Sequence, residues 1–228
     1  MHPTDRISQL GADDFVLSIF PQPGFFVDVG AADGQVLSNT AKLDALGWHG
    51  IALDPLLKNF EGRKNTRTLH AAVYGEANIE VDFAVCPHDP NLSGVASHLT
   101  CYRDQVLHDA KVVRLRTRLL ADILQEMGAP STIQYLSLDT EGSEFEILRT
   151  FPFHRYSFGV ISVEHNFQEP LRQRIRHHLE ANSYTLVHSP QWDDWYVHSS
   201  LVRQNQNGSH QHQEQNGGGP QQQQQHHC

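Results

Sequence analysis

Carboxylates stand where the apolar segments of this sequence end. Asp28 and Asp33 bracket a glycine turn in Phe25-Phe26-Val27-Asp28-Val29-Gly30-Ala31-Ala32-Asp33-Gly34, and Asp54 closes Gly50-Ile51-Ala52-Leu53. Asp139 and Glu141 follow the run Ile133 to Leu138, and Glu164, His165 and Asn166 follow Phe158 to Val163. Two carboxylates close to a pyrophosphate would repel it by roughly several kcal/mol in a partly dry cleft. A cationic guest is favoured there instead. S-adenosylmethionine, which carries a sulfonium and an ammonium group, meets that requirement.

Roles follow from position. Asp28 and the backbone of Gly30, Ala31, Asp33 and Gly34 are expected to hold the methionine end of such a ligand. Asp54 lies about 20 residues past the turn, at a strand tip, where an acid takes both ribose hydroxyls; followed by Pro55, it is equally placed to cap a helix. Asp139 is expected beside the reacting methyl or the ammonium group. Methyl transfer is an in-line displacement at an activated carbon, so protein groups contribute mainly orientation and electrostatics. An alcohol acceptor must also lose its proton. His165, whose unperturbed pKa lies near neutrality, is the first candidate base, with Glu141 and Glu164 as rivals. Each has a structural alternative: Glu141 as a carboxylate at a helix entry, His165 as a satisfied core histidine. Asp139, Glu164 and Asn166 also form an oxygen-rich set that suits Mg²⁺, which would acidify a bound hydroxyl.

The elements that must present these groups alternate between two periodicities. A Pro-Gly turn, an apolar run and a glycine turn read as a buried parallel strand over 25–29. Helical spacing then runs from Val36 to Leu46 and stops at Gly47. Further strands are expected at 50–53, 69–73, 79–85, 112–116, 133–138, 158–163, 184–188 and 195–202. The strand at 79–85 belongs to a peripheral hairpin, and residues 86–110 form a long polar loop of the kind that covers a binding site. Helices are expected over 119–127, after a capping box from Ser143 to Glu146, and from Pro170 to Leu179. A short helix is expected around Leu57 and Phe60. The alternation predicts an α/β fold, a Rossmann-like and mostly parallel sheet with an antiparallel edge hairpin.

The chain has 228 residues and a formal net charge of -9, which allows one sizeable core and argues against nucleic acid as a partner. No apolar stretch approaches a membrane span of roughly 18 residues, and three cysteines without metal-type spacing point to reduced thiols and a cytoplasmic location. Residues 1–24 read as a helical extension and 25–203 as one α/β domain. From Gln204 onward Gln, His, Asn and Gly dominate, a composition expected to stay disordered.

Three blocks carry a family resemblance. They are Phe26 to Gly34 with Ser38-Asn39-Thr40 and Gly47-Trp48; Leu136-Ser137-Leu138-Asp139-Thr140-Glu141-Gly142-Ser143-Glu144; and Ser162-Val163-Glu164-His165-Asn166. In this order, over about residues 25–200, the chain resembles the FkbM family of S-adenosylmethionine-dependent methyltransferases. The resemblance implies a seven-stranded class I methyltransferase sheet with strand order 3-2-1-4-5-7-6, and O-methylation of a small-molecule hydroxyl. It adds Asn39 to the cofactor-binding residues. Two other classes are weighed against it. A nicotinamide-dependent oxidoreductase would need a second glycine where Asp33 stands, and a non-catalytic binding module would leave the strand-tip carboxylates without a purpose.

Overall fold

The computed structural model describes residues 8–58, 60–99 and 103–202. The low-complexity segment after Gln204, together with Cys101 and Cys228, lies outside them; Cys86 is a buried free thiol.

Seven strands build the main sheet: β1 (Phe25–Val29), β2 (His49–Leu53), β3 (Thr66–Leu69), β8 (Thr132–Leu138), β9 (Ser157–Glu164), β10 (Tyr184–His188) and β11 (Asp193–His198). Their order is β3-β2-β1-β8-β9-β11-β10, which is the expected 3-2-1-4-5-7-6 arrangement. Neighbours from β3 to β9 pair in parallel, and β11 runs antiparallel to both β9 and β10. The central strands are buried on both faces, as parallel strands covered by helices must be. Alternate residues serve different layers. Val27, Val29, Leu136 and Leu138 pack in the larger core, while Phe26 and Tyr135 pack with Val16, Leu43 and Trp48. Asp28, Ser137 and Ser162 are paired in register across β1, β8 and β9. A polar row therefore crosses the Phe26 side of the sheet just below its carboxyl edge.

Helices α1 (Ala12–Ile19), α2 (Ala41–Ala45), α3 (Arg103–Asp109), α4 (Leu120–Glu126), α5 (Glu144–Thr150) and α6 (Glu169–Ala181) complete the chain with a smaller sheet. That second sheet, in the order β4-β7-β5-β6, comprises β4 (Ala72–Val73), β5 (Glu80–Val85), β6 (Gly94–Val95) and β7 (Lys111–Arg118). The strand expected at 79–85 is β5, which pairs antiparallel with both β6 and β7; β6 and α3 stand between β5 and β7 in the chain, so that pair is not a hairpin.

Several local expectations are corrected. The strand expected at 69–73 is two strands in different sheets. The last rung is the Ala71 N–H donating to Asp54 O at 3.3 Å; the next N–H facing β3, that of Leu56, is taken by Asp54 Oδ1 at 2.5 Å, and the chain crosses over after His70 and Ala71. The helix expected from Val36 begins only at Ala41. Asp33 Oδ1 accepts the N–H groups of Gln35 and Val36, both at 2.9 Å, and Ser38 Oγ accepts those of Thr40 and Ala41. Such local side-chain bonds compete with helix formation. Around Leu57 and Phe60 there is only a 3-10 turn, Phe60–Gly62. The capping box at Ser143 is replaced by Glu144, whose carboxylate accepts the N–H groups of Thr140 at 2.7 Å and Gly142 at 3.1 Å. Strand β11 begins at Asp193 and ends at His198, so Asp193 and Asp194 are strand residues rather than loop.

Candidate active site

A cavity of about 310 Å³ opens at the carboxyl ends of β1, β2, β8 and β9. Asp28, Gly30, Ala31, Asn39, Asp54, Asp139, Glu141 and Glu164 all line it, and Asp33, Gly34 and His165 do not. Residues 89–93 from the long polar loop close part of the opposite side.

The glycine turn works by close packing. Gly30 has φ 86, and a Cβ there would fall 1.5 Å from the carbonyl oxygen of Asp139, so the tips of β1 and β8 touch only because this residue is glycine. Its N–H and that of Ala31 both donate to Leu53 O, at 2.9 and 3.3 Å. The N–H of Ala32 donates to Asp54 Oδ2 at 3.2 Å, and that of Gly34 to Ala31 O at 2.9 Å. These four donors stitch the turn to β2 and to itself. Asp33 is spent on its own turn.

The remaining acids are buried or half-buried and partnered. Asp28 accepts from Thr40 Oγ1 at 2.6 Å; burial pushes its carboxyl up, and the Thr40 bond and the nearby Arg63 guanidinium pull it down. Arg63 in turn grips Gly34 O at 2.6 Å and Ser38 Oγ at 2.8 Å, holding the loop that carries Asn39. Asn39 spans from Ser8 Oγ, which donates to it at 2.9 Å, to Ser137 Oγ, to which it donates at 3.1 Å. Asp54 also accepts from Leu56 N at 2.5 Å, so its expected helix-cap geometry is realised as a turn, and burial raises its pKa.

At the tips of β8 and β9 the acids crowd one another. Asp139, Glu141 and Glu164 each offer an oxygen within 4.8 Å of the others. Burial and Glu141 push Asp139 well up, and burial and Asp139 push Glu164 well up. Burial and the charge of Glu144 raise Glu141 to about 7. Asn166 donates to Glu164 at 2.7 Å and to Glu141 at 3.2 Å. Glu141 and Asn166 both hold left-handed backbone, φ 58 and φ 46, a conformation that costs about 1 kcal/mol or more in such residues and collects at functional sites.

A model of the methyltransferase FkbM domain matches residues 28–186. The chain belongs to the FkbM methyltransferase family. It is therefore an S-adenosylmethionine-dependent methyltransferase, and a nicotinamide oxidoreductase is set aside. Among solved structures the chain is similar to the precorrin-6y C5,15-methyltransferase from Geobacter metallireducens GS-15, at 11% identity and a TM-score of 0.43, with 81% of this chain and 87% of that chain covered. No curated protein matches the chain in sequence. Among the described residues no helix is long and apolar enough to cross a membrane.

The cavity of this FkbM domain fits the family's methyl donor by its chemistry. It offers carboxylate acceptors and no Lys, Arg or His among the described residues that line it, and its volume lies at the small end of ligand pockets, about 300 Å³ upward. His165 faces elsewhere. Its side chain is buried, Nδ1 accepts the N–H of Phe167 at 3.1 Å, and Nε2 lies 3.6 Å from Asp194 Oδ1. Arg172 holds both oxygens of Asp194 at 2.8 Å; although burial works the other way, His165 and Arg172 keep that carboxyl below the ordinary range. His165 thus packs against the turn that follows β9 and against Asp194. Sequence reasoning missed Thr40 and Arg63 beside Asp28 and Glu144 as the cap of the Thr140–Gly142 turn, and no spacing in the sequence signals these contacts.

Proposed function

We propose that this methyltransferase O-methylates a hydroxyl of a small-molecule acceptor and that Glu141 takes the hydroxyl proton. The observation that carries this reading is the position and state of one carboxylate. Glu141 lines the cavity and has a pKa raised to about 7 by burial and Glu144. A base with a pKa near the working pH is present in its acceptor form while still binding a proton well enough to help. Asn166 fixes the second oxygen of Glu141, which leaves the first to face the acceptor. The donor, when bound, supplies a methyl group on a cationic sulfonium. Asp54 is the residue suited to the ribose hydroxyls, and Asp28, Asn39 and Asp139 to the methionine end. His165 is read as a support of the Asn166 turn rather than as the base.

A second reading is favoured by the clustering of Asp139, Glu141 and Glu164. Their oxygens could hold a divalent cation such as Mg²⁺, which would offset the crowding of the three acids and acidify a hydroxyl. Incubation with S-adenosylmethionine and a panel of alcohols tests both. A product heavier by one methyl, with the label on oxygen and transfer unaffected by EDTA, supports the Glu141 reading. Transfer lost with EDTA and restored by Mg²⁺ supports the cation. Methylation on nitrogen or carbon alone refutes O-methylation.

A further inference from the structure

The cavity has two chemically different zones. Six carboxylates line it (Asp28, Asp54, Asp89, Asp139, Glu141 and Glu164), and none of its described lining residues is Lys, Arg or His. Its lining also includes Val36, Leu37 and Phe167, which are 63%, 48% and 62% exposed. Leu37 and Phe167 occupy left-handed backbone, φ 59 and φ 57. For bulky apolar residues that conformation costs about 1–2 kcal/mol each, and here it is accepted while the side chains remain in water. Val36 and Leu37 follow β1, and Phe167 follows β9. These strands flank β8, so apolar side chains stand on both sides of the strand tip that carries Asp139 and Glu141.

We propose that the acceptor is an uncharged or cationic amphiphile whose hydroxyl leads an apolar body, and that acceptors bearing a phosphate or carboxylate near the hydroxyl are rejected. This rests on the reading that the methyl acceptor enters by this mouth. An anion brought up to the acidic floor meets like charge in a site of reduced dielectric. An apolar body covers Val36, Leu37 and Phe167 and removes their surface from water. A free sugar would leave that surface exposed.

Three probes of equal chain length separate these cases: decanol, decylamine and decanoate, titrated by calorimetry into the full chain saturated with S-adenosylhomocysteine. Decanol and decylamine are expected to bind, with decanoate weaker by at least about tenfold. Phe167→Ala should weaken decanol several-fold, and Phe167→Lys should bring decanoate within reach of decanol. Equal affinity for decanoate and decanol, no binding of decanol, or indifference to Phe167→Ala would overturn the proposal. No methyl transfer is required for this measurement. Methylation found on nitrogen or carbon would therefore leave the binding pattern intact, whereas a wrong pattern sinks the acceptor class alone.

Discussion

Replacing Glu141 with Gln should stabilise the empty protein at alkaline pH and leave it nearly unchanged at acidic pH. Burial, then repulsion from Glu144, raises the Glu141 pKa from an ordinary 4.5 to about 7. The folded chain therefore binds this proton more tightly than the unfolded chain does. The stability it contributes is complete below about pH 4.5 and is lost as pH rises through about 7. That interval corresponds to about 3 kcal/mol of destabilisation once Glu141 is ionised, with Glu144 sharing part of it. Gln keeps the oxygen that accepts from Asn166 and removes the charge. Urea denaturation near pH 8 should show Glu141→Gln more stable than the natural chain by about 2–3 kcal/mol, and near pH 4 the two should agree within about 0.5 kcal/mol. A Gln variant that is equal to, or weaker than, the natural chain near pH 8 would refute the claim that Glu141 is held against its own charge.

Other expectations follow from the same geometry. Asp54→Ala should weaken S-adenosylhomocysteine binding by about 1–3 kcal/mol in calorimetry, because the residue proposed for the ribose also secures the N–H groups of Ala32 and Leu56; unchanged affinity would remove its ribose role. Gly30→Ala should cost roughly 4 kcal/mol or more in a thermal melt, since the new Cβ would overlap Asp139 O in a left-handed backbone, and a melt like that of the natural chain would contradict the packing described. His165→Asn retains an acceptor for the Phe167 N–H and should keep turnover that His165→Ala loses. Equal and complete loss in both would restore His165 as the base.

Much of the fold was legible because the central strands announce themselves as apolar runs closed by acids, and the family blocks fix their order. The breaks came where a side chain outbid the local period. Val36 and Leu37 fit a helical stripe, yet Asp33 and Ser38 take the N–H groups that a helix would have used. Residues 69–73 read as one strand, but Asp54 Oδ1 takes the Leu56 N–H that would have extended the ladder, and the chain passes to a second sheet. In the site, an acid's place at a strand tip was readable and its partner was not. Thr40 reaches Asp28, and Glu144 turns back to cap its own loop, through contacts no spacing rule encodes. His165 looked like a base by its chemistry alone. Its direction was decided by Asp194, a residue read from sequence as loop.

The central claim is that Glu141 accepts the acceptor's proton. With the first alcohol found to be methylated, the pH dependence of kcat/KM in the natural chain should rise through about pH 7, and Glu141→Gln should lower the rate by about 100-fold or more and flatten that limb. A Gln variant that keeps both the rate and the limb would contradict it.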